Sequence, residues 1–392
     1  MQLKYLTAGE SHGPELVAIL EGIPAGLELD AGAINKELKR RQLGYGRGGR
    51  MNIEKDQAVI VAGVRHGKTM GSPICLRIEN KDWQNWQDVM SADEAVSAKT
   101  VKPVTVPRPG HADFAGVMKF GHSDIRDVLE RSSARETAAR VAVGAVAKCL
   151  LWQFNIEIYS HVVSIGKVSR RPEKELAPDD FNAVDKSPVR CLDPEAAKGM
   201  VAEIDRAGEA GESAGGVFEV LAFGLMPGLG SYVSGGRRLG GRIGGALMSI
   251  PAIKGVEIGD GFSLSNVFGS DAHDEIFFEK SRGFYRKTNH AGGLEGGMTN
   301  GQTLIARACM KPIPTMTKPL ASVELESGKP TEAFKERSDV CAVPAAAVVG
   351  EAMVAIELAV ALMDKFGGDN IRDTLDAHST YAGRIMNSWP RE

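Results

Sequence analysis

Arg40, Arg41, Arg47 and Arg50 fall in a stretch with no acidic residue between Leu38 and Asn52, and glycines separate the later ones. A solvated helix end is one reading, since basic side chains are stabilised at a helix C-terminus. The other is anion binding, because glycine spacing lets guanidinium forks converge on a planar carboxylate or a phosphate. Arg108-Pro109-Gly110-His111-Ala112-Asp113 adds an arginine and a histidine on a stiff loop, and Gly9-Glu10-Ser11-His12-Gly13-Pro14 presents a second histidine in a tight turn. Imidazoles framed in this way reach a ligand and act as general acids near neutral pH. His66, His161 and His378 read instead as structural.

Arg131-Ser132-Ser133-Ala134-Arg135-Glu136-Thr137 combines cap hydroxyls, free backbone N–H groups and two arginines at the expected head of a long helix, a pattern suited to phosphate. Arg337-Ser338-Asp339 repeats it ahead of a second long helix, where Asp339 alone would read as a cap. Lys311-Pro312-Ile313-Pro314-Thr315 is a proline-stiffened loop able to hold backbone groups against a flat heterocycle. With no metal cluster and no cysteine nucleophile in the sequence, the sum describes a pocket for polyanionic small molecules.

Some motif matches fail on context. Gly44, Gly46 and Gly49 come after a helix, where the dinucleotide motif needs a strand first. Gly63 to Thr69 is one residue short of a P-loop and lies in an expected hairpin. Gly9 to Gly13 fits G-x-S-x-G, but a nucleophile elbow joins a strand to a helix, and the segment after Gly13 is strand-like. A hydrolase built on Ser11 stays open as an alternative, as does a non-catalytic anion- or RNA-binding module.

These groups need rigid elements to hold them. Strands are expected at 2–8, 15–20, 57–64, 72–78, 156–166, 215–225, 302–310 and 320–325, and helices after Asp30, at 194–207 and at 238–249. From about Arg131 to Trp152 and from Pro344 to Phe366 the chain is apolar on every face, so both stretches read as buried helices. Each comes after an Arg-Ser pair, a trace of internal duplication. The Gly-rich stretch 283–301 is expected to be a functional loop. No linker divides the chain, so one α+β unit is expected, with strands covering a central layer of long helices.

Composition agrees. The chain has 392 residues, is 43% hydrophobic and 25% charged, and carries a net charge of −3. That balance supports a large core and argues against a general nucleic-acid coat or a membrane-surface protein. No stretch reaches the roughly 20 uninterrupted apolar residues of a bilayer span. The start, Met1 to Tyr5, lacks export or transit character, and five cysteines without a CxxC pair suit a reducing compartment. A cytoplasmic protein is expected.

Taken in order, the segments at 9–14, 108–113, 131–137, 310–315 and 337–339 resemble those of the chorismate synthase family. The resemblance implies a flavin-dependent lyase that converts 5-enolpyruvylshikimate 3-phosphate to chorismate by 1,4-elimination. It implies reduced FMN as cofactor, a homotetramer, and a β-α-β sandwich subunit with antiparallel sheets over central helices. Residue by residue, it places Arg41, Arg47, Arg50, Arg108, Arg135 and Arg337 around substrate anions. His111 would protonate the leaving phosphate, His12 would sit by the flavin pyrimidine edge, and Asp339 would take a proton at flavin N5. FMN would lie against Arg131, Ser132, Ser133, Pro251, Ala252, Gly296, Lys311, Pro312, Ile313, Pro314, Thr315 and Arg337. Whether an NADP-linked flavin reductase activity accompanies the lyase is not decided by the sequence.

Overall fold

Strand alternation and glycine turns build the first layer. In the computed structural model, which describes residues 3–49, 55–93, 101–170, 175–333 and 339–387, β1 (Lys4–Ala8) and β2 (Glu15–Glu21) form an antiparallel hairpin. Leu16, Ala18 and Leu20 bury one face of β2, in keeping with the two-residue period of a strand. Helix α1 (Ala31–Gln42) begins after Asp30 and buries Ile34, Leu38 and Arg41. Strands β3 (Ala58–Ala62) and β4 (Ile74–Glu79) pair directly, and the expected hairpin between them carries its own short ladder, Val64–Arg65 with Lys68–Thr69. The sheet order is β1-β2-β4-β3.

The helix expected from Arg131 starts later. Helices α2 (Asp113–Phe120) and α3 (Arg126–Ser132), neither expected, come first, and Arg131 and Ser132 close α3. Ser133 is extended (ψ 143°) and its hydroxyl accepts from the Arg135 N–H; one 3-10 turn, Ala134–Glu136, then leads into α4 (Thr137–Trp152). The physical reason is the serine itself, whose side chain offers the backbone an alternative to helical hydrogen bonds. Beyond it α4 is apolar all round and almost wholly buried through Leu151.

The second sheet is built from β5 (Glu157–Ile165), β6 (Gly216–Phe223), β7 (Ile253–Ile258) and β8 (Leu304–Met310), with helix α5 (Pro194–Glu209) between β5 and β6 and α6 (Leu239–Met248) before β7. Its antiparallel order is β7-β8-β6-β5, ending on the short strand Val168–Ser169. Strand β7 escaped the sequence reading because Gly255 and a register shift beside it break the alternation. Helix α7 (Val343–Phe366) is closed by Gly367 at φ +62°, and α8 (Ile371–Asn387) comes next, also unexpected.

Helices α4 and α7 pack on each other; α4 also lies against β2 and β4, and α7 against β5 and β6. Gly144 makes the crossing possible, since a Cβ there would stand 2.3 Å from the Ala352 Cβ. By length and composition α7 could cross a membrane, yet 94% of its most apolar stretch is buried inside this structure. The 283–301 stretch is tied down: the Asp274 carboxylate accepts from Thr288, His290 and Ala291, and Leu294–Glu295 pairs with Met298–Thr299.

Candidate active site

Segments far apart in sequence meet around a cavity of about 470 Å³ at the N-terminal ends of α4 and α7. Arg41, Arg47, Arg108, Arg135 and Lys311 line it together with His12 and His111, and Asp339 is the only carboxylate among the described lining residues. Ala342, which caps α7, and Ala345, Ala346 and Val349, at helical spacing in its first turns, add an apolar lining, and Ile313 and Pro314 line the same cavity.

Arg41 leaves the last turn of α1 and is fully buried, with Nε donating to the Thr137 hydroxyl at 3.0 Å and Nη2 to the Ala134 carbonyl at 2.9 Å. Arg135 comes from the 3-10 turn, donates to Asn80 Oδ1 at 2.9 Å and pairs with buried Asp56, which Arg41 approaches at 3.5 Å. Burial above all, with the nearby charges of Arg47 and Arg135, lowers the Arg41 pKa to about 10 against the opposing pull of Asp56. Cations crowded in this way gain from an incoming anion. Arg47 pairs with Asp339 at 2.7 Å, and the Gly48 N–H donates to the same carboxylate at 2.6 Å.

The Arg108–Asp113 loop closes on itself. Asp113, at the first position of α2 and 1% exposed, accepts from the Arg108 backbone N–H at 3.0 Å and Nε at 2.8 Å, and from His111 Nδ1. Burial would raise the Asp113 carboxyl, but hydrogen bonds from His111 and Arg108 outweigh it and hold the group well below the usual carboxylate range. Lys311 donates from Nζ to the Gly110 carbonyl at 2.6 Å and from its backbone to the Ala252 carbonyl at 2.9 Å. Ala252 takes φ +66°, a strained value for a residue with a Cβ, beside the cavity.

His12 stands in the β1–β2 turn, where Gly9 (φ +106°) is required: a Cβ there would lie 2.3 Å from the Glu15 carbonyl oxygen. The G-x-S-x-G match is thus a hairpin turn. Ser11 is buried and accepts the Ser133 hydroxyl at 3.1 Å.

Of the sequence-derived site residues, the cavity gathers His12, Arg41, Arg47, Arg108, His111, Ser132, Ser133, Arg135, Pro251, Ala252, Lys311, Ile313, Pro314, Thr315 and Asp339. Others stand elsewhere. The Arg131 guanidinium donates to the Thr7 and Gly9 carbonyls and clamps the first hairpin. Pro312 and Gly296 are not among the lining residues, and Gly296 turns the hairpin between Leu294–Glu295 and Met298–Thr299. The expectation of a functional 283–301 loop is not supported by this cavity. Arg40, one position before Arg41, faces a different side of α1 and pairs with Glu351 at 2.7 Å. Asp339 is no helix cap, since the N-cap of α7 is Ala342; it precedes the helix and faces Arg47. Arg50 and Arg337 lie outside the described residues. The sequence reading missed the supporting shell of Asp56, Asn80, Trp86 and Glu130. Only Asp113, two residues beyond His111, carried a local signal.

A basic cavity with an apolar lining, at the head of two core helices, defines an enzyme for small polyanions. The sequence profile of chorismate synthase matches residues 3–363, and the chain belongs to the chorismate synthase family. It is a lyase of the shikimate pathway. It is 58% identical over 386 residues to chorismate synthase of Desulforudis audaxviator, covering 98% of each chain. To that of Moorella thermoacetica it is 57% identical over 386 residues, covering 98% of this chain and 100% of the relative. A crystal structure of chorismate synthase superposes with a TM-score of 0.80 at 44% identity, covering 99% of both chains.

Proposed function

We propose that this cavity binds 5-enolpyruvylshikimate 3-phosphate and eliminates its phosphate with a ring hydrogen to give chorismate, with reduced FMN held alongside. The observation that carries the reading is the charge imbalance: Arg41, Arg47, Arg108, Arg135 and Lys311 face the space against Asp339, the single lining carboxylate among the described residues. A substrate with one phosphate and two carboxylates answers that imbalance, and charge-assisted, bidentate hydrogen bonds give it orientation as well as affinity. Arg50 and Arg337 join this set on the resemblance.

The donor set also fits the cofactor. The apolar lining of Ala342, Ala345, Ala346, Val349, Ile313 and Pro314 suits a planar ring, and Ser132, Ser133, Lys311 and Thr315, with the backbone of Pro251 and Ala252, add polar groups to the same cavity. Arg131, Pro312, Gly296 and Arg337 are assigned to FMN on the resemblance alone. When bound, reduced FMN lends electron density to the departing phosphate without net redox change. His111, backed by Asp113, donates a proton to the leaving phosphate; Asp339, held by Arg47 and the Gly48 N–H, takes a proton at flavin N5; His12 lies at the pyrimidine edge.

We read the layering of sheet, paired helices and sheet as a β-α-β sandwich in one domain, and the pairing of each long helix with its own sheet as the trace of a duplication. A cytoplasmic homotetramer without nucleic-acid or membrane partners completes the proposal. The test is turnover under anaerobic conditions with chemically reduced FMN: many chorismate molecules per flavin are expected. One product per flavin oxidised refutes a redox-neutral elimination.

A further inference from the structure

We infer that Glu130 is a positioning residue for His12, fixing which ring nitrogen works in the cavity while Trp86 fixes the ring plane. The inference rests on the proposed role of His12. Glu130 lies in α3, and its side chain is 2% exposed. Both of its oxygens are committed to one residue: Oε2 accepts the His12 backbone N–H at 2.8 Å, and Oε1 stands 2.8 Å from His12 Nδ1. Its carbonyl accepts the Ser11 N–H at 3.0 Å, so the same residue grips the turn and the ring. On the other side the Trp86 indole stacks on the imidazole, with ring centroids 3.8 Å apart and planes 20° from parallel. The indole is itself anchored, donating from Nε1 to Asp82 Oδ2 at 3.0 Å.

A carboxylate only accepts, so the proton of the neutral ring sits on Nδ1 and the lone pair on Nε2. Without such a clamp, a histidine on a glycine-flanked turn samples several orientations and both tautomers. With it, His12 offers Nε2 alone in one direction.

The test is ¹⁵N-histidine NMR of the full-length enzyme at pH 8, with the His12 signals identified by their loss in His12→Gln. The expected parental state is the Nδ1–H tautomer. In Glu130→Gln the amide satisfies both groups by accepting the backbone N–H and donating to the ring. The ring is then expected to flip to Nε2–H, and kcat to fall about 10²-fold with KM for substrate unchanged. A parental Nε2–H tautomer overturns the inference, and so does parental kcat in Glu130→Gln. If Glu130→Gln does not fold, the parental tautomer decides alone. Failure of the parent to form chorismate would sink the proposed reaction instead, and the tautomer measurement separates the two.

Discussion

The core helices carry two charged clusters, and α1 feeds both from neighbouring residues: Arg41 turns into the cavity and Arg40 away from it. In the second cluster Arg40, Lys148 and Arg190 converge on Glu351, which is fully buried within α7, while Glu37 and Asp185 complete the pairing. Burial would raise the Glu351 carboxyl, but Arg40 and Lys148, and after them Arg190, hold it well below the usual range. The chain even accepts a left-handed backbone at Arg190, φ +58°, to bring that guanidinium in. The charges of this cluster are paired within it although Glu37, Arg40, Lys148, Asp185 and Arg190 line a second cavity of about 420 Å³, and it ties α1, α4 and α7 together. The cavity cluster uses the same residue types but keeps its carboxylates behind the arginines, with only Asp339, among the described residues, on the open side. Arginine content therefore does not mark a binding site; the side from which the counter-charge is missing does.

The comparison breaks most sharply at Asp339. Asp339→Asn is expected to keep substrate and FMN binding and lose turnover by about 10² to 10⁴, measured by rapid mixing at saturating reduced FMN. Parental rates would leave Asp339 as a partner of Arg47 only. Glu351→Ala should do the converse, costing about 3–5 kcal/mol of stability by stranding buried cations, read from denaturant melts, while the folded fraction binds substrate as the parent does. Its pH dependence has a definite sign: a carboxyl depressed on folding stabilises the protein above its ordinary value near 4.3 and loses that stability as pH falls below it. The parent should therefore weaken in acid more steeply than Glu351→Ala. Smallest in energy are Arg47→Ala and Arg135→Ala, each expected to weaken substrate by about 1.5 to 3 kcal/mol, ten- to more than a hundredfold. Calorimetry should show FMN affinity falling less; the reverse order would reassign both residues.

Much of this was legible in the sequence because it is local. The all-round apolar character of the stretches after Thr137 and Val343 marks buried helices whatever they pack on, and glycine- or proline-framed histidines announce themselves. What stayed hidden is long-range or depends on a single dihedral. Asp56, Asn80 and Glu130 are ordinary polar residues until the fold sets them behind Arg41, Arg135 and His12. Arg40 and Arg41 differ only by the turn between successive helical positions, which no composition reveals. Ser133 breaks a helix by local hydrogen bonding, and β7 is obscured by its own irregularity.

The contact between Gly144 and Ala352 acts as a machined fit. Because that crossing has no spare clearance, α4 and α7 form one tightly packed post with the cavity at their N-terminal ends and Glu351 farther along it. A single added methyl would act as a wedge whose displacement reaches both ends together.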